Sequence, residues 1–338
     1  MKVLSLIKPG ELIFEDLPKP ELTLGNAIVK MEACGICGSD VTAYRGVNPT
    51  VRYPIQGIGH EGVGTIEEIG ENDKGLKIGD RVALEPYVPC NKCHMCKAGR
   101  FNNCTDLNVC GVHKNGMMAE YFSHPIELIY KLPEELDFHS AACIEPLSIG
   151  LHGATRARVS AGDHVVVFGA GTIGLMASLA CLNYGAIPIV VDIIQMRLDL
   201  AKECGIPYTF NSSNGNVVEY LQQITKGKLP EAMIDCTGAA SILEQMHNFV
   251  CHGGRIALVG WPHEPVKINT VRCMQKELDI FPSRNSNAKF NEAINLIASN
   301  KVPVKKIITK TIELSEAEAV IKDMIANPND YMKVVVDL

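Results

Sequence analysis

The chain has 338 residues, a formal net charge of -6 and a hydrophobic fraction of 46%. This length favours two domains, because a single hydrophobic core seldom fills a chain of this size. Nucleic acids and anionic membranes usually require a clustered excess of Lys and Arg, which a net negative charge does not support. We therefore expect a small-molecule partner, with neither nucleic acid nor membrane.

The N-terminal segment and the cysteines favour a cytoplasmic protein with reduced thiols. The first apolar run is broken by Lys8, Pro9, Gly10 and Glu11, too early for a signal peptide or a membrane span. There are 13 Cys, and an odd number without a secretion signal favours metal ligation over a disulfide framework.

The pattern of apolar residues predicts an α/β fold with two different halves. Residues 1–150 read as short β segments separated by turn residues, such as AIVKMEAC and GVGTIEEIG. From about residue 160, apolar strands such as HVVVF and IPIVVD alternate with helical stretches, which is typical of a parallel sheet. After residue 285, FNEAINLIASNKV and ELSEAEAVIKDMIAN predict helices and YMKVVVDL predicts a strand. The pattern alone does not assign this tail to either half.

Two isolated candidates for metal ligation lie in the first half. Cys37 belongs to CGICGSD, and His60 belongs to GHEG, 23 residues later. Neither is a metal signature by itself, because a lone His is more often a structural group.

Four further cysteines form a compact motif with the spacing C-x2-C-x2-C-x7-C, namely Cys90, Cys93, Cys96 and Cys104. Four thiolates fill a tetrahedral zinc shell and leave no position for substrate, so the motif predicts a structural zinc. An iron–sulfur cluster also uses four cysteines, and a zinc ribbon that binds nucleic acid is a second alternative. The segment lacks the interleaved aromatic and basic residues that favour the ribbon.

A glycine-rich turn follows the predicted strand at 164–168 and opens a helical segment. Its sequence is Gly169-Ala170-Gly171-Thr172-Ile173-Gly174. In this context G-x-G-x-x-G predicts a dinucleotide site, with the pyrophosphate at the N-terminus of the helix. Asp192 ends the next strand, where a carboxylate accepts ribose hydroxyls and repels the 2'-phosphate of NADP, so NAD is predicted. Arg197 suits the adenosine side of the same site.

Two later turns are predicted to line the cofactor pocket. Thr237 follows the apolar strand ending in AMIDC, and Val259 and Gly260 end RIALVG. Ligands bind at the carboxyl ends of the strands of open parallel sheets.

Taken in order, CGICGSD, GHEGVG, GDRV, the four-cysteine motif, EPLSIG and GAGTIG resemble the zinc-dependent medium-chain dehydrogenase/reductase family along nearly the whole chain. The resemblance is closest to the sorbitol (polyol) and threonine dehydrogenase branches. It implies a GroES-like catalytic domain from residues 1–150 and 287–338, a Rossmann NAD-binding domain over 151–286, and a homo-oligomer, a dimer or a tetramer.

The resemblance also implies a catalytic zinc, which makes two zinc ions per subunit. Its ligands are Cys37 and His60, with Glu61 and Glu145 supplying the carboxylate position directly or through water. Alcohol dehydrogenases with two cysteine ligands have Cys where Glu145 stands. This departure favours polyol or amino-alcohol substrates, and the choice between Glu61 and Glu145 stays open.

The family pattern implies roles for four more residues. Ser39 resembles the hydroxyl that relays the proton away from the alcohol, and Asp40 is expected to accept a hydrogen bond from His60. Ser283 and Arg284 resemble the polyol branch's segment beside nicotinamide and substrate. Some relatives carry a relay His where this chain has Thr42 and Ala43.

These observations predict an NAD-linked, zinc-dependent dehydrogenase that oxidises a secondary alcohol of a polyol or sugar-derived substrate. An L-threonine-type amino-alcohol dehydrogenase and a sugar-acid dehydrogenase are alternatives within the same class. A non-catalytic NAD(H) sensor is the alternative outside it.

Overall fold

A computed structural model describes residues 1–338, and the chain divides into two units. Unit 1 comprises Met1–Glu145, Phe290–Asn300 and Ile307–Leu338, and unit 2 comprises Pro146–Lys289 and Lys301–Lys306. The first boundary falls inside a helix, Ile144–Arg156. No flexible linker therefore separates the units at this point.

Unit 1 is built mainly from strands joined by short helices. The N-terminal elements are β1 (Lys2–Lys8), β2 (Glu11–Asp16), β3 (Asn26–Ile36), α1 (Gly38–Tyr44), β4 (Glu61–Ile69), β5 (Arg81–Leu84), β6 (Tyr87–Val88), α2 (His94–Lys97), β7 (Asn108–Val109), β8 (Tyr121–Pro125), β9 (Ile129–Lys131), α3 (Phe138–Ala141) and α4 (Ile144–Arg156), which continues into unit 2.

The largest sheet of unit 1 has seven strands, in the order β16-β17-β3-β4-β5-β9 with β8 paired to β3. Its strands β16 (Ile308–Glu313) and β17 (Lys333–Asp337) come from the C-terminal tail. β17 runs antiparallel to β3, pairing Val334 with Ile36 and Val336 with Cys34. The tail thus completes the sheet begun by the first 145 residues.

The core of unit 1 lies on this sheet, where alternate strand residues are fully buried. Val29, Met31, Ile66, Val334 and Val336 belong to one hydrophobic cluster, each at most 1% exposed. Burial of an aliphatic side chain contributes about 1.5–3 kcal/mol. The cluster therefore holds residues from both ends of the chain in one core.

Unit 2 alternates strands and helices. Its elements are β10 (His164–Phe168), α5 (Thr172–Asn183), β11 (Ile187–Asp192), α6 (Gln195–Glu203), β12 (Tyr208–Asn211), α7 (Val217–Ile224), β13 (Ala232–Asp235), α8 (Ala240–Leu243), β14 (Arg255–Leu258), α9 (Thr270–Lys276) and β15 (Asp279–Pro282). The chain then continues through α10 (Phe290–Ala298) of unit 1, α11 (Val304–Ile307), which spans the boundary between the units, and α12 (Ala317–Ala326) of unit 1.

The six strands of unit 2 form one parallel sheet in the order β12-β11-β10-β13-β14-β15. The central strands are continuous apolar runs, and Val165, Val166 and Val167 are fully buried. Parallel strands covered on both faces require this composition. The strand order reverses between β10 and β13, which is where such sheets open a crevice for ligands. Among the helices of the structure, none combines the length and the hydropathy needed to cross a bilayer.

Candidate metal and dinucleotide sites

Cys37, His60 and Glu61 form a cluster in unit 1 whose donor atoms all lie within 4.8 Å of one another. Sheet register brings them together. Cys37 follows the last residue of β3 and caps α1, while Glu61 opens β4, and Gly35 of β3 pairs with Glu61. The antiparallel pairing therefore places Cys37 near His60 and Glu61, which follow it by 23 and 24 positions in the sequence, at one end of two neighbouring strands.

Gly35 allows this close approach. A Cβ atom at position 35 would lie 1.8 Å from Oε2 of Glu61, far inside van der Waals contact. The first glycine of CGICGSD is thus required by space, since any side chain here would displace the carboxylate from the cluster.

The Glu61 carboxylate is held by a buried lysine from the C-terminal strand. Nζ of Lys333 donates to Oε1 and Oε2 of Glu61 at 2.7 and 2.6 Å, and to the carbonyl oxygen of Ile36 at 3.0 Å. Both side chains are at most 3% exposed. Burial opposes the charged form of Lys333, but the Glu61 carboxylate outweighs it and raises the pKa of Lys333 above its usual range.

Glu145 lies in the first turn of α4 and is buried. The hydroxyl of Tyr87, on the short strand β6, donates a hydrogen bond to its Oε1. Burial, together with the neighbouring charge of Glu61, raises the pKa of Glu145 to about 7. Glu145 is not one of the residues whose ligand atoms form the cluster around Cys37.

Ser39, Asp40 and His60 each place a buried polar atom in this region without a hydrogen-bond partner: Ser39 Oγ, Asp40 Oδ1 and His60 Nδ1. Nδ1 of His60 is 3.6 Å from Oδ1 of Asp40, so the predicted hydrogen bond between them is not formed. Oδ2 of Asp40 instead accepts the backbone N–H of Cys37 at 2.8 Å. Burial lowers the pKa of His60, but the charge of Asp40 raises it well above its usual range.

The four-cysteine motif also closes into a cluster, with all four Sγ atoms within 4.8 Å of one another. The Sγ atom of Cys93 lies 3.5 Å from that of Cys96 and 3.9 Å from that of Cys104. Tetrahedral zinc with Zn–S bonds of about 2.3 Å requires S–S separations of roughly 3.8 Å. Backbone N–H groups of Thr105 and Cys96 lower the pKa of Cys93 to about 5, which favours the thiolate that a metal needs.

The glycine-rich turn of unit 2 joins β10 to α5. Gly169 has a φ of +91°, a left-handed conformation that favours glycine. A Cβ at Gly174 would lie 1.8 Å from the carbonyl oxygen of Gly169, whereas one at Gly171 would meet only Nη1 of Arg197, at 3.9 Å. Gly171 is the N-cap of α5, and Thr172 and Ile173 begin the helix. Its free N–H groups and dipole favour an anion.

Asp192 ends β11 beside this turn. Oδ2 accepts the N–H of Ala170 at 2.5 Å, and Oδ1 accepts those of Ile193 and Ile194 at 2.7 and 2.9 Å. Oδ2 retains a further lone pair, so the carboxylate is fixed in orientation and can still accept a ribose hydroxyl. Arg197 lies in α6 near Gly171.

The other predicted cofactor residues lie at the same edge of the parallel sheet. Thr237 follows β13, Val259 and Gly260 follow β14, and Ser283 and Arg284 follow β15. These positions are where ligands of open α/β sheets bind. The Oγ atom of Ser283 is buried without a hydrogen-bond partner.

Asp235 supports the turn at Thr237 and was missed by sequence reasoning. Its Oδ1 accepts the hydroxyl of Thr237 at 2.6 Å, and its Oδ2 accepts the N–H of Gly238 at 2.9 Å. Burial raises the pKa of Asp235. An acid at the end of an apolar strand was the available signal.

Comparison with known proteins gives two family matches. Residues 23–134 match the alcohol dehydrogenase GroES-like domain, and residues 172–299 match the zinc-binding dehydrogenase domain. An uncharacterized zinc-type alcohol dehydrogenase-like protein of Haemophilus influenzae is 41% identical over 336 residues, covering 99% of this chain and 98% of that protein. Sorbitol dehydrogenase of Bacillus subtilis is 30% identical over 342 residues, covering 99% and 97%. The RspB alcohol dehydrogenase of Escherichia coli CFT073, crystallised with NADH, superposes with a TM-score of 0.94 at 34% identity, covering 100% and 99%.

The chain belongs to the zinc-binding alcohol dehydrogenase family. This confirms the predicted fold, a GroES-like domain with a Rossmann-like parallel sheet, and the predicted sorbitol-like branch. It also confirms that the protein is an oxidoreductase.

The residues of unit 1 fit the zinc of this dehydrogenase family. The donor atoms of Cys37, His60 and Glu61 lie within 4.8 Å of one another, and the buried Nδ1 of His60 has no hydrogen-bond partner. A buried polar atom without a partner in the protein is often satisfied by a bound ion or water. A sulfur, an imidazole and a carboxylate are also the donor types that catalytic zinc uses.

A prediction for the dehydrogenase separates cofactor binding from folding. Gly171→Ala should keep the fold, because the new Cβ meets only the 3.9 Å contact with Arg197, but the methyl group should block the pyrophosphate. We expect NADH affinity to fall at least about tenfold, or about 1.4 kcal/mol, in a fluorescence titration. Gly174→Ala, whose Cβ would overlap Gly169, should instead lower the unfolding temperature. NADH binding by Gly171→Ala at the original affinity would contradict this assignment.

Proposed function

We propose that the protein oxidises a secondary alcohol of a polyol or sugar-derived substrate with NAD as the hydride acceptor. The clustering of Cys37, His60 and Glu61 carries this proposal. It offers a catalytic zinc one sulfur, one nitrogen and one carboxylate ligand, where some alcohol dehydrogenases use two Cys and one His. The similarity to sorbitol dehydrogenase of Bacillus subtilis supports the substrate class.

The zinc, when bound, supplies a positive charge that favours loss of the proton from the alcohol. The residues of unit 1 bind the metal and transfer the proton. Cys37 and His60 would hold the metal, and Lys333 fixes the orientation of Glu61 through both carboxylate oxygens. Oγ of Ser39, buried and without a partner in the protein, receives the proton and passes it towards solvent.

The glycine-rich turn and Asp192 support the choice of NAD. The N-terminus of α5 would hold the anionic pyrophosphate, and the Asp192 carboxylate would accept a ribose hydroxyl. A 2'-phosphate would face this carboxylate and be repelled. Ser283 and Arg284 supply donors to the nicotinamide and to a substrate rich in oxygen atoms.

The test is a dehydrogenase screen with zinc-loaded protein. NADH formation is measured with hexitols, pentitols, aldonates and L-threonine, each with NAD and with NADP. We expect turnover with a polyol and a preference for NAD. Turnover confined to L-threonine or to aldonates would assign the protein to the amino-alcohol or sugar-acid dehydrogenases instead. Protein that binds NADH and holds two zinc ions but oxidises no substrate would contradict the proposal and indicate a sensor.

A further inference from the structure

The two carboxylates beside the metal ligands are held by different side chains. Lys333 contacts both oxygens of Glu61, at 2.7 and 2.6 Å, and Glu61 lies in the cluster with Cys37. Tyr87 donates to Oε1 of Glu145, which lies outside that cluster. Lys333 and Tyr87 therefore hold the two carboxylates at different positions relative to Cys37 and His60.

Tyr87 is well suited to hold a carboxylate. Its side chain is 5% exposed, and its hydroxyl donates to Oε1 of Glu145. A buried hydroxyl that lost this acceptor would be left unsatisfied, so the hydrogen bond fixes both side chains.

The backbone of Tyr87 is fixed by the base of the four-cysteine segment. Tyr87 pairs with Val109, and Val88 pairs with Asn108, so the strands β6 and β7 close the segment that contains all four cysteines. The N–H of Cys90 donates to Sγ of Cys104 at 3.2 Å, which ties the two ends together. The proposed structural zinc thus holds the strand on which Tyr87 stands.

We propose, on the basis of the function proposed above, that Tyr87 is a positioning residue of the catalytic metal centre and that its hydroxyl keeps Glu145 out of the resting metal shell. Glu61, oriented by Lys333, is then the carboxylate ligand at rest. The position that Glu145 would otherwise fill stays open for the substrate's hydroxyl group, as a catalytic zinc requires.

The experiment replaces Tyr87 by Phe and reads the metal directly. Phe keeps the ring and removes only the hydroxyl, so Glu145 is released. With cobalt(II) in place of zinc, we expect weaker visible d–d absorption, because Glu145 enters the shell and raises the coordination number. Loss of the metal to a chelator should slow about tenfold. This is the lower end of the change in metal affinity that is usual when a residue in contact with the metal ligands is replaced. The spectrum of Cys37→Ser, which retains only the four-cysteine site, is subtracted as the blank.

Two further variants control the result. Tyr130→Phe removes a similar hydrogen bond, from Tyr130 to Oε2 of Glu85 at 2.6 Å. Glu85 belongs to neither metal cluster, so this variant should leave the cobalt spectrum unchanged. Adding Glu145→Gln to Tyr87→Phe should restore the rate of metal loss and the cobalt d–d absorption of the unaltered protein, because a neutral amide is a poor ligand.

An unchanged cobalt spectrum in Tyr87→Phe would overturn the proposal. Faster metal loss would overturn it too, since it would make Glu145 a resident ligand that Tyr87 supports. Both readouts need no turnover. Failure of the proposed dehydrogenase activity would appear separately, as metal-loaded protein that oxidises no substrate.

Discussion

Replacing Cys37 by Ser is expected to reduce kcat about 10³-fold or more, because the protein should lose one of its two zinc ions. Lewis-acid stabilisation is worth several kcal/mol, and each 1.36 kcal/mol corresponds to a tenfold change in rate. Ser is a good N-cap residue, so the start of α1 at position 37 should be preserved. Activity is measured in the polyol assay and zinc by elemental analysis.

The matched control is Cys273→Ser. Cys273 lies in α9 of unit 2 and belongs to neither metal cluster, so this variant should keep two zinc ions and full activity. A Cys37→Ser protein that retains both metals and its turnover would show that the cluster around His60 is not the catalytic centre.

Replacing Lys333 by Met is expected to lower the free energy of unfolding of metal-free unit 1 by about 3–5 kcal/mol. Lys333 and Glu61 form a buried ion pair at 2.6 Å, and removal of one partner leaves an uncompensated charge in the core. The measurement is urea denaturation of the metal-free protein, monitored by a spectroscopic signal that reports the unfolding of unit 1.

A double variant separates the effect of charge from that of packing. The double variant Lys333→Met, Glu61→Gln should recover most of the stability at neutral pH. A double variant as unstable as Lys333→Met alone would show that packing, not charge, is responsible.

Features set by local sequence were predictable. The apolar runs at HVVVF and IPIVVD are the strands His164–Phe168 and Ile187–Asp192, and the spacing in FNEAINLIASNKV gives the helix Phe290–Ala298. In each segment the spacing of the apolar residues matches the side of the strand or helix that is buried. The strand predicted in YMKVVVDL is also present, at Lys333–Asp337.

Helices in the first half were the main omission. The segment EPLSIG was recognised as a motif, but it opens the 13-residue helix Ile144–Arg156. Pro146, Gly150 and Gly153 lower its apparent helix propensity. Pro146 is tolerated because it lies in the first turn. A Cβ at Gly150 would lie 2.6 Å from backbone atoms of Met176 and Ala177, so close packing against α5 explains this glycine.

The partners of the metal cluster could not be predicted from spacing. Lys333 is 272 residues from Glu61, and their contact depends on β17 returning to pair with β3. Tyr87 carries no motif, and its role depends on the position of Glu145 at the start of a helix that was not predicted. Long-range strand pairing therefore decides which side chain contacts each carboxylate. The candidate metal ligands near His60, in contrast, could be predicted from the local sequence.

The interrupted course of unit 1 has a consequence for how the protein is made. All but six residues of unit 2 come from one continuous stretch, Pro146–Lys289, whereas β16 and β17 belong to the last residues of the chain. Domains generally fold as they emerge from the ribosome. The dinucleotide-binding half therefore acquires its structure while the catalytic half still lacks two strands of its sheet. Translation that stops a few codons early would release a finished cofactor-binding half joined to an incomplete partner, without the lysine that balances Glu61.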